Sequence, residues 1–152
     1  MQLTNFTDYA LRGLMYLAAR PEKLCTVREV ADHYGISHNH MVKVMHRLSQ
    51  LGYIQSAKGK GGGIRLAGDA PSLRLGELVR QLEPNLALVE CFNLKTNSCR
   101  IVQSCQLKHY LQEAEASFLD TLNKYTLADA VPKLGPLTKA ARAAGKIGGP
   151  LG

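Results

Sequence analysis

No apolar run approaches the roughly 18 residues that a membrane-spanning helix needs, so the sequence excludes a transmembrane span. The first apolar stretch is interrupted by Asp8 and Arg12 and lacks the order of a signal peptide, so a reducing, cytoplasmic setting is expected. None of the four cysteines stands in a C-x-x-C pair, which counts against a four-ligand structural zinc site. The glycine-rich stretch Lys58 to Gly63 lacks the spacing and the Lys-Ser/Thr ending of a phosphate-binding P-loop. No nucleophile motif, paired catalytic carboxylates or cofactor fingerprint is present, so an enzyme is not expected. Acidic residues are absent beyond Val131.

What is present points to a folded, basic protein. The 152 residues are 45% hydrophobic, enough for a core, and global disorder is not expected. Lys and Arg outnumber Asp and Glu by 19 to 12, a net charge of +7 that favours a polyanionic partner. The excess is uneven. Residues 1–66 hold nine Lys/Arg against four Asp/Glu, residues 67–131 six against eight, and the tail adds Lys133, Lys139, Arg142 and Lys146.

Periodicity organises the front of the chain. Thr4 or Thr7 caps a first helix to about Ala19, with Leu11, Leu14, Met15 and Ala18 at helical spacing. Thr26 and Glu29 form a capping box for a second helix that Gly35 ends. Ser37 caps a third, from about His38 to Leu51, with Met41, Val44, Met45 and Leu48 as its apolar stripe. Short helix, glycine turn and second helix make a helix-turn-helix pattern. Tyr53-Ile54 then opens a strand, 58–63 makes a turn and Ile64-Arg65-Leu66 returns, which reads as a wing. The fold class expected is mainly α with a small β-hairpin: a winged helix-turn-helix DNA-binding domain plus a long dimerisation helix.

The outward face of the third helix carries His38, Asn39, His40, Lys43 and Arg47. Its first turn faces the major groove in this motif, so His38, Asn39 and His40 are candidate base contacts. Lys43, Arg47 and the wing cations Lys58, Lys60 and Arg65 are candidate phosphate contacts. The alternative is a solvated polar face, against which the basic wing argues. His38 and His40, two apart on a helix, diverge too far for a metal pair.

A fourth helix is expected at about Leu75 to Leu82, stopped by Pro84, and residues 84–104 read as a loop. From about Ser104 a long helix carries Leu107, Leu111, Ala114, Phe118 and Leu122 in steps of four and three, a seam for a partner helix or for the chain's own core. A short turn, Leu127 to Val131, follows a Thr126 cap. The tail, rich in Gly, Pro, Ala and Lys, is expected to be disordered.

The loop holds Cys91-x7-Cys99-x5-Cys105. Soft thiolates splayed in an open loop suit an iron–sulfur cluster, while a redox relay or plain buried thiols remain alternatives. Cys25, far away between two helices, is assigned to packing. A cluster bound by three cysteines wants a fourth ligand, and Asp8, Glu90 and His109 are the candidates. Spacing favours His109, four residues after Cys105 and one helical turn on.

The opening Met1 to Arg12, the helix His38-Asn39-His40-Met41-Val42-Lys43, the wing Gly59 to Leu66, the three cysteines and Tyr125-Thr126-Leu127-Ala128-Asp129 resemble the nitric-oxide-sensitive, iron–sulfur winged-helix repressors of the NsrR type. The resemblance spans about residues 1–131. It implies a homodimer that binds an inverted-repeat operator in double-stranded DNA while its iron–sulfur cluster (4Fe–4S, with 2Fe–2S as the alternative) is intact. Nitric oxide would then attack the cluster and release the DNA. Carried over by position, Cys91, Cys99 and Cys105 are the cluster thiolates, and the Phe6-Thr7-Asp8 start places an oxygen ligand at Asp8, reaching from the partner subunit. A sister family of cluster-biogenesis regulators uses a histidine three residues after the third cysteine, where this chain has Lys108, so the resemblance moves the fourth ligand from His109 to Asp8. The seven residues between Cys91 and Cys99 exceed the spacing expected for the group. The organisation expected is a DNA-binding domain at 1–83, a cluster-binding loop at 84–105, a dimerisation helix and terminal turn at 106–131 and a basic tail at 132–152. A sensor of iron–sulfur supply or oxidative stress at the same site is the alternative, with a zinc or thiol-redox regulator behind it.

Overall fold

The computed structural model describes residues 2–93 and 95–131; the expected disordered tail, 132–152, lies outside them. The chain order is α1 (Asn5–Ala18), α2 (Val27–Tyr34), α3 (His38–Gln50), β1 (Ile54–Ala57), β2 (Gly63–Leu66), α4 (Leu75–Leu82), α5 (Gln106–Asn123) and α6 (Leu127–Ala130). Short 3-10 turns lie at Ala70–Ser72 and Glu90–Phe92.

Each of the first three helices starts on a hydroxyl that satisfies a free amide. Thr4 Oγ1 accepts from Thr7 N at 3.3 Å, and Ser37 Oγ from His40 N at 3.2 Å. At Thr26 the box is complete, with Glu29 N donating to Thr26 Oγ1 and Thr26 N to the Glu29 carboxylate. The apolar stripes then converge: Leu14 and Leu17 of α1, Val30 of α2, and Met41, Val44 and Leu48 of α3 are essentially inaccessible. Leu78 of α4 and Leu127 of α6 complete the same core. Burying each such side chain contributes roughly 1.5–3 kcal/mol.

The wing is an antiparallel pair in the register Ile54 with Leu66 through Ala57 with Gly63. The first strand begins at Ile54; Tyr53, expected inside it, precedes it and donates its hydroxyl to Gln81 Oε1 at 2.8 Å. Ile54 and Ile64 are its buried anchors. Gly59 and Gly61 turn the tip at φ 96° and 81°, values that favour glycine. Cys25 does more than pack. Its backbone pairs with Ile64 in both directions, at 2.9 and 2.7 Å, adding a third short edge to the hairpin. A Cβ at Gly63 would lie 2.6 Å from the Cys25 carbonyl oxygen, so that pairing requires glycine.

The fourth helix has the expected bounds, but its start is capped from a distance. Glu77 N donates to Asn123 Oδ1 at 3.0 Å, and Gly76 lets α5 approach so closely that a Cβ there would meet the Leu119 carbonyl oxygen at 2.4 Å. Leu75 N to Tyr125 O and Leu127 N to Leu73 O fix the same junction. The long helix begins at Gln106 rather than Ser104, because Cys105 is extended and forms the N-cap. Its fully buried residue is Leu119, outside the expected seam. Within that seam Leu107 and Ala114 are exposed and Leu111, Phe118 and Leu122 half-buried. The segment read as a loop contains the 3-10 turn around Cys91.

Candidate nucleic-acid interface and cysteine segment

The third helix divides cleanly by face. Met41, Val44, Met45 and Leu48 are buried, while His38, Asn39, His40, Lys43 and Arg47 are exposed. Residues 40, 43 and 47 follow the three-and-four spacing that aligns side chains along one line of a helix. The wing presents Lys58, Lys60 and Arg65 to solvent. His46, exposed on the same helix and paired with the Gln50 side chain at 3.1 Å, is a polar residue that the sequence reading passed over. Its place opposite the apolar stripe was the available signal.

The cysteine segment is built differently. Cys91 is 8% exposed within its 3-10 turn, and Cys99 and Cys105 are half-buried. Asparagine side chains hold the backbone locally, Ala87 N on Asn85 Oδ1, Lys95 N on Asn93 Oδ1 and Cys99 N on Asn97 Oδ1. Leu86 and Phe92, with Arg80 of α4 and Gln112 and Glu115 of α5, line an open cavity of about 470 Å³. Glu115 Oε2 is buried without a hydrogen-bond partner among the described residues.

Among the described residues, no three His, Cys, Asp or Glu side chains stand in an arrangement that could hold a metal ion. The donor chemistry nonetheless fits an iron–sulfur cluster. All four cysteines are free thiols, and three of them, at 91, 99 and 105, lie on one segment with no disulfide competing for sulfur. Of the fourth-ligand candidates, His109 is exposed on α5, and Glu90 accepts from Ser98 Oγ at 3.3 Å. Asp8 sits on α1, held two-pronged by Arg12 at 2.8 and 3.0 Å. That pair is about half exposed, so screening leaves it worth roughly 0–1 kcal/mol.

Sequence reasoning missed Glu83. Only 8% exposed, its Oε2 accepts from Thr4 N at 2.9 Å and Thr4 Oγ1 at 3.2 Å. The start of α1, four residues before Asp8, is thereby tied to the end of α4, where the cysteine segment begins. No local pattern announces a contact across 79 positions.

Comparison with known proteins follows the same division. The Rrf2 family model, described as an iron-dependent transcriptional regulator, matches residues 3–133. The HTH-type transcriptional regulator NsrR of Shouchella clausii (strain KSM-K16) is 52% identical over 132 residues, covering 86% of this chain and 89% of that protein. The regulator of the same name from Bacillus subtilis (strain 168) is 49% identical, covering 86% and 90%. Among solved structures, T. potens IscR superposes with a TM-score of 0.69 at 20% identity, covering 86% of each chain. CymR, the global cysteine regulator of B. subtilis, gives 0.69 at 18%, covering 86% and 96%. At these identities the two structures speak for the winged-helix fold alone. No helix among the described residues is long and apolar enough to cross a membrane. On the family match and the two relatives near 50% identity, the chain belongs to the Rrf2 family of iron-dependent transcriptional regulators and is a regulator of the NsrR type.

Proposed function

We propose that the chain is a dimeric, nitric-oxide-responsive repressor that occupies an inverted-repeat operator while an iron–sulfur cluster is bound. The observation that carries this reading is the pairing, in one chain, of a solvent-facing polar α3 with three free thiols just ahead of α5. His38, Asn39 and His40 have donors and acceptors for base edges, and Lys43, Arg47, Lys58, Lys60 and Arg65 supply phosphate contacts. Leu107 and Tyr110, 61% and 63% exposed on α5, offer an apolar face to a second copy.

Cys91, Cys99 and Cys105 would hold the cluster, with Asp8 of the partner subunit as the fourth ligand. When bound, a 4Fe–4S group of this kind supplies an iron site open to a small diatomic molecule. The chain's own part is mechanical. Asp8 can serve the partner only after leaving Arg12, and the Thr4–Glu83 contact couples any shift of α1 to α4. A ligand lent across the dimer therefore ties the site to the relative pose of the two winged helices, a two-state element on which a switch can act.

The test is the visible spectrum of anaerobically purified protein, followed by nitric oxide titration with operator binding as the readout. An iron–sulfur spectrum bleached by nitric oxide in step with operator release supports the reading. A colourless protein with stoichiometric zinc sinks it. Release on cluster loss but not on nitric oxide would assign the site to sensing iron–sulfur supply. Lys60→Ala should lower the salt slope of binding by about one, as for a phosphate contact.

A further inference from the structure

One member of the outward face of α3 cannot hydrogen-bond. Val42 is 42% exposed, and among the described residues of the winged-helix half, 2–83, it is the only exposed large apolar side chain. It belongs neither to the buried core nor to the apolar side chains packed against it. Its neighbours on the helix surface are Asn39 three residues before and His46 four residues after, with Lys43 alongside, all exposed and polar or cationic. Lone exposed apolar residues are ordinary on a protein surface. This one lies beside Lys43 and Arg47, on the face where a polyanion would dock. A β-branched residue is also a poorer helix former than alanine, and at an exposed position no burial offsets that.

We propose that Val42 is a specificity-determining residue of the operator contact, its isopropyl group packing on the C5 methyl of one thymine in each half-site. In the major groove that methyl is the apolar mark of a T·A pair, and an apolar side chain is what recognises it. Valine suits the task. Its branched Cβ holds essentially one χ1 rotamer in a helix, so little side-chain freedom is lost on contact. The inference rests on the reading of the chain as an operator-binding regulator and adds a base-level discriminator to it. The hydrogen bonds available to His38, Asn39 and His40 do not depend on a thymine methyl, so the two contributions can be separated on the DNA side.

The test removes the methyl and nothing else. Anaerobically purified full chain selects its preferred site from a random-sequence duplex library. Each thymine of that site is then replaced by deoxyuridine, which keeps every hydrogen-bonding group, and binding of wild type and Val42→Ala is measured on each duplex. Wild type should lose about fourfold in affinity at one thymine per half-site, the worth of one buried methyl-sized group. Val42→Ala should bind the thymine duplex more weakly by a similar factor and be indifferent to deoxyuridine at that position. Its thermal unfolding should be unchanged or slightly raised. A preferred site in which no thymine is methyl-sensitive overturns the proposal, as does equal sensitivity in the variant. A lower unfolding temperature with methyl sensitivity retained would assign Val42 to packing and overturn it too. Selection that yields no preferred sequence would defeat the operator reading itself, and this proposal with it.

Discussion

The winged-helix half and the cysteine segment are held by different kinds of contact. In the first, distant parts of the chain satisfy one another: Cys25 with Ile64, Thr4 with Glu83, Tyr53 with Gln81, Glu77 with Asn123. In the second, the side-chain hydrogen bonds described span at most eight residues, and Cys91 is the buried residue of its 3-10 turn. Non-local contacts make a unit that opens cooperatively, whereas local turns open one at a time at little cost. A reader of DNA must keep its shape in every state. The cysteine segment, held by local turns, has the kind of contacts that open at low cost.

The sharpest break in that contrast comes from the core. Leu14→Ala should remove about 2–5 kcal/mol of stability, read as a lower midpoint in denaturant unfolding. A loss below 1 kcal/mol would mean that the three-helix core is less tightly packed than its burial indicates. Next is Glu83→Ala, which strands the Thr4 amide at the α1 terminus. It should cost about 1–3 kcal/mol. Faster hydrogen exchange confined to α1 and the end of α4 would sharpen the idea that this contact joins the two regions.

Glu29→Ala removes one side of the α2 capping box and should cost about 1 kcal/mol by thermal unfolding. Its pH dependence carries a sign. The Lys23 ammonium, and then the Thr26 amide, hold the Glu29 carboxyl below its usual range. The contribution is therefore full above the unfolded value of about 4.3 and is lost as pH falls through the lower folded value. The difference between wild type and Glu29→Ala should shrink on acidification, and an increase would contradict this account. The smallest effect is expected at Cys99→Ala, within about 0.5 kcal/mol for fold stability. Helical circular dichroism should stay unchanged while any iron–sulfur absorbance disappears. A large loss of stability there would erase the distinction between the two regions.

Much of the winged helix was legible because its signals are local. Thr26 and Glu29 stand three apart, Ser37 precedes a three-and-four apolar stripe, and glycines crowd 59–63. The bounds of α4 were legible for the same reason, with Arg74 and Pro84 outside an amphipathic eight-residue run. The seam on α5 was read only in part. Leu119 became its buried residue because Gly76 opens a close approach from α4, and nothing within α5 encodes that. The exposed face of α3 was likewise visible in sequence, as the complement of its buried stripe.

By itself, then, the sequence determined where helices start and stop, which face of α3 is polar, and that three thiols share one short segment. Capping, periodicity and spacing act within a few residues and need no partner. Only the tertiary structure decided that Cys25 pairs its backbone with Ile64 of the wing, that Asn123 caps α4, and that Glu83 binds the start of α1. These contacts join residues tens of positions apart, so they exist only once the fold brings donor and acceptor within reach, and no local pattern announces them.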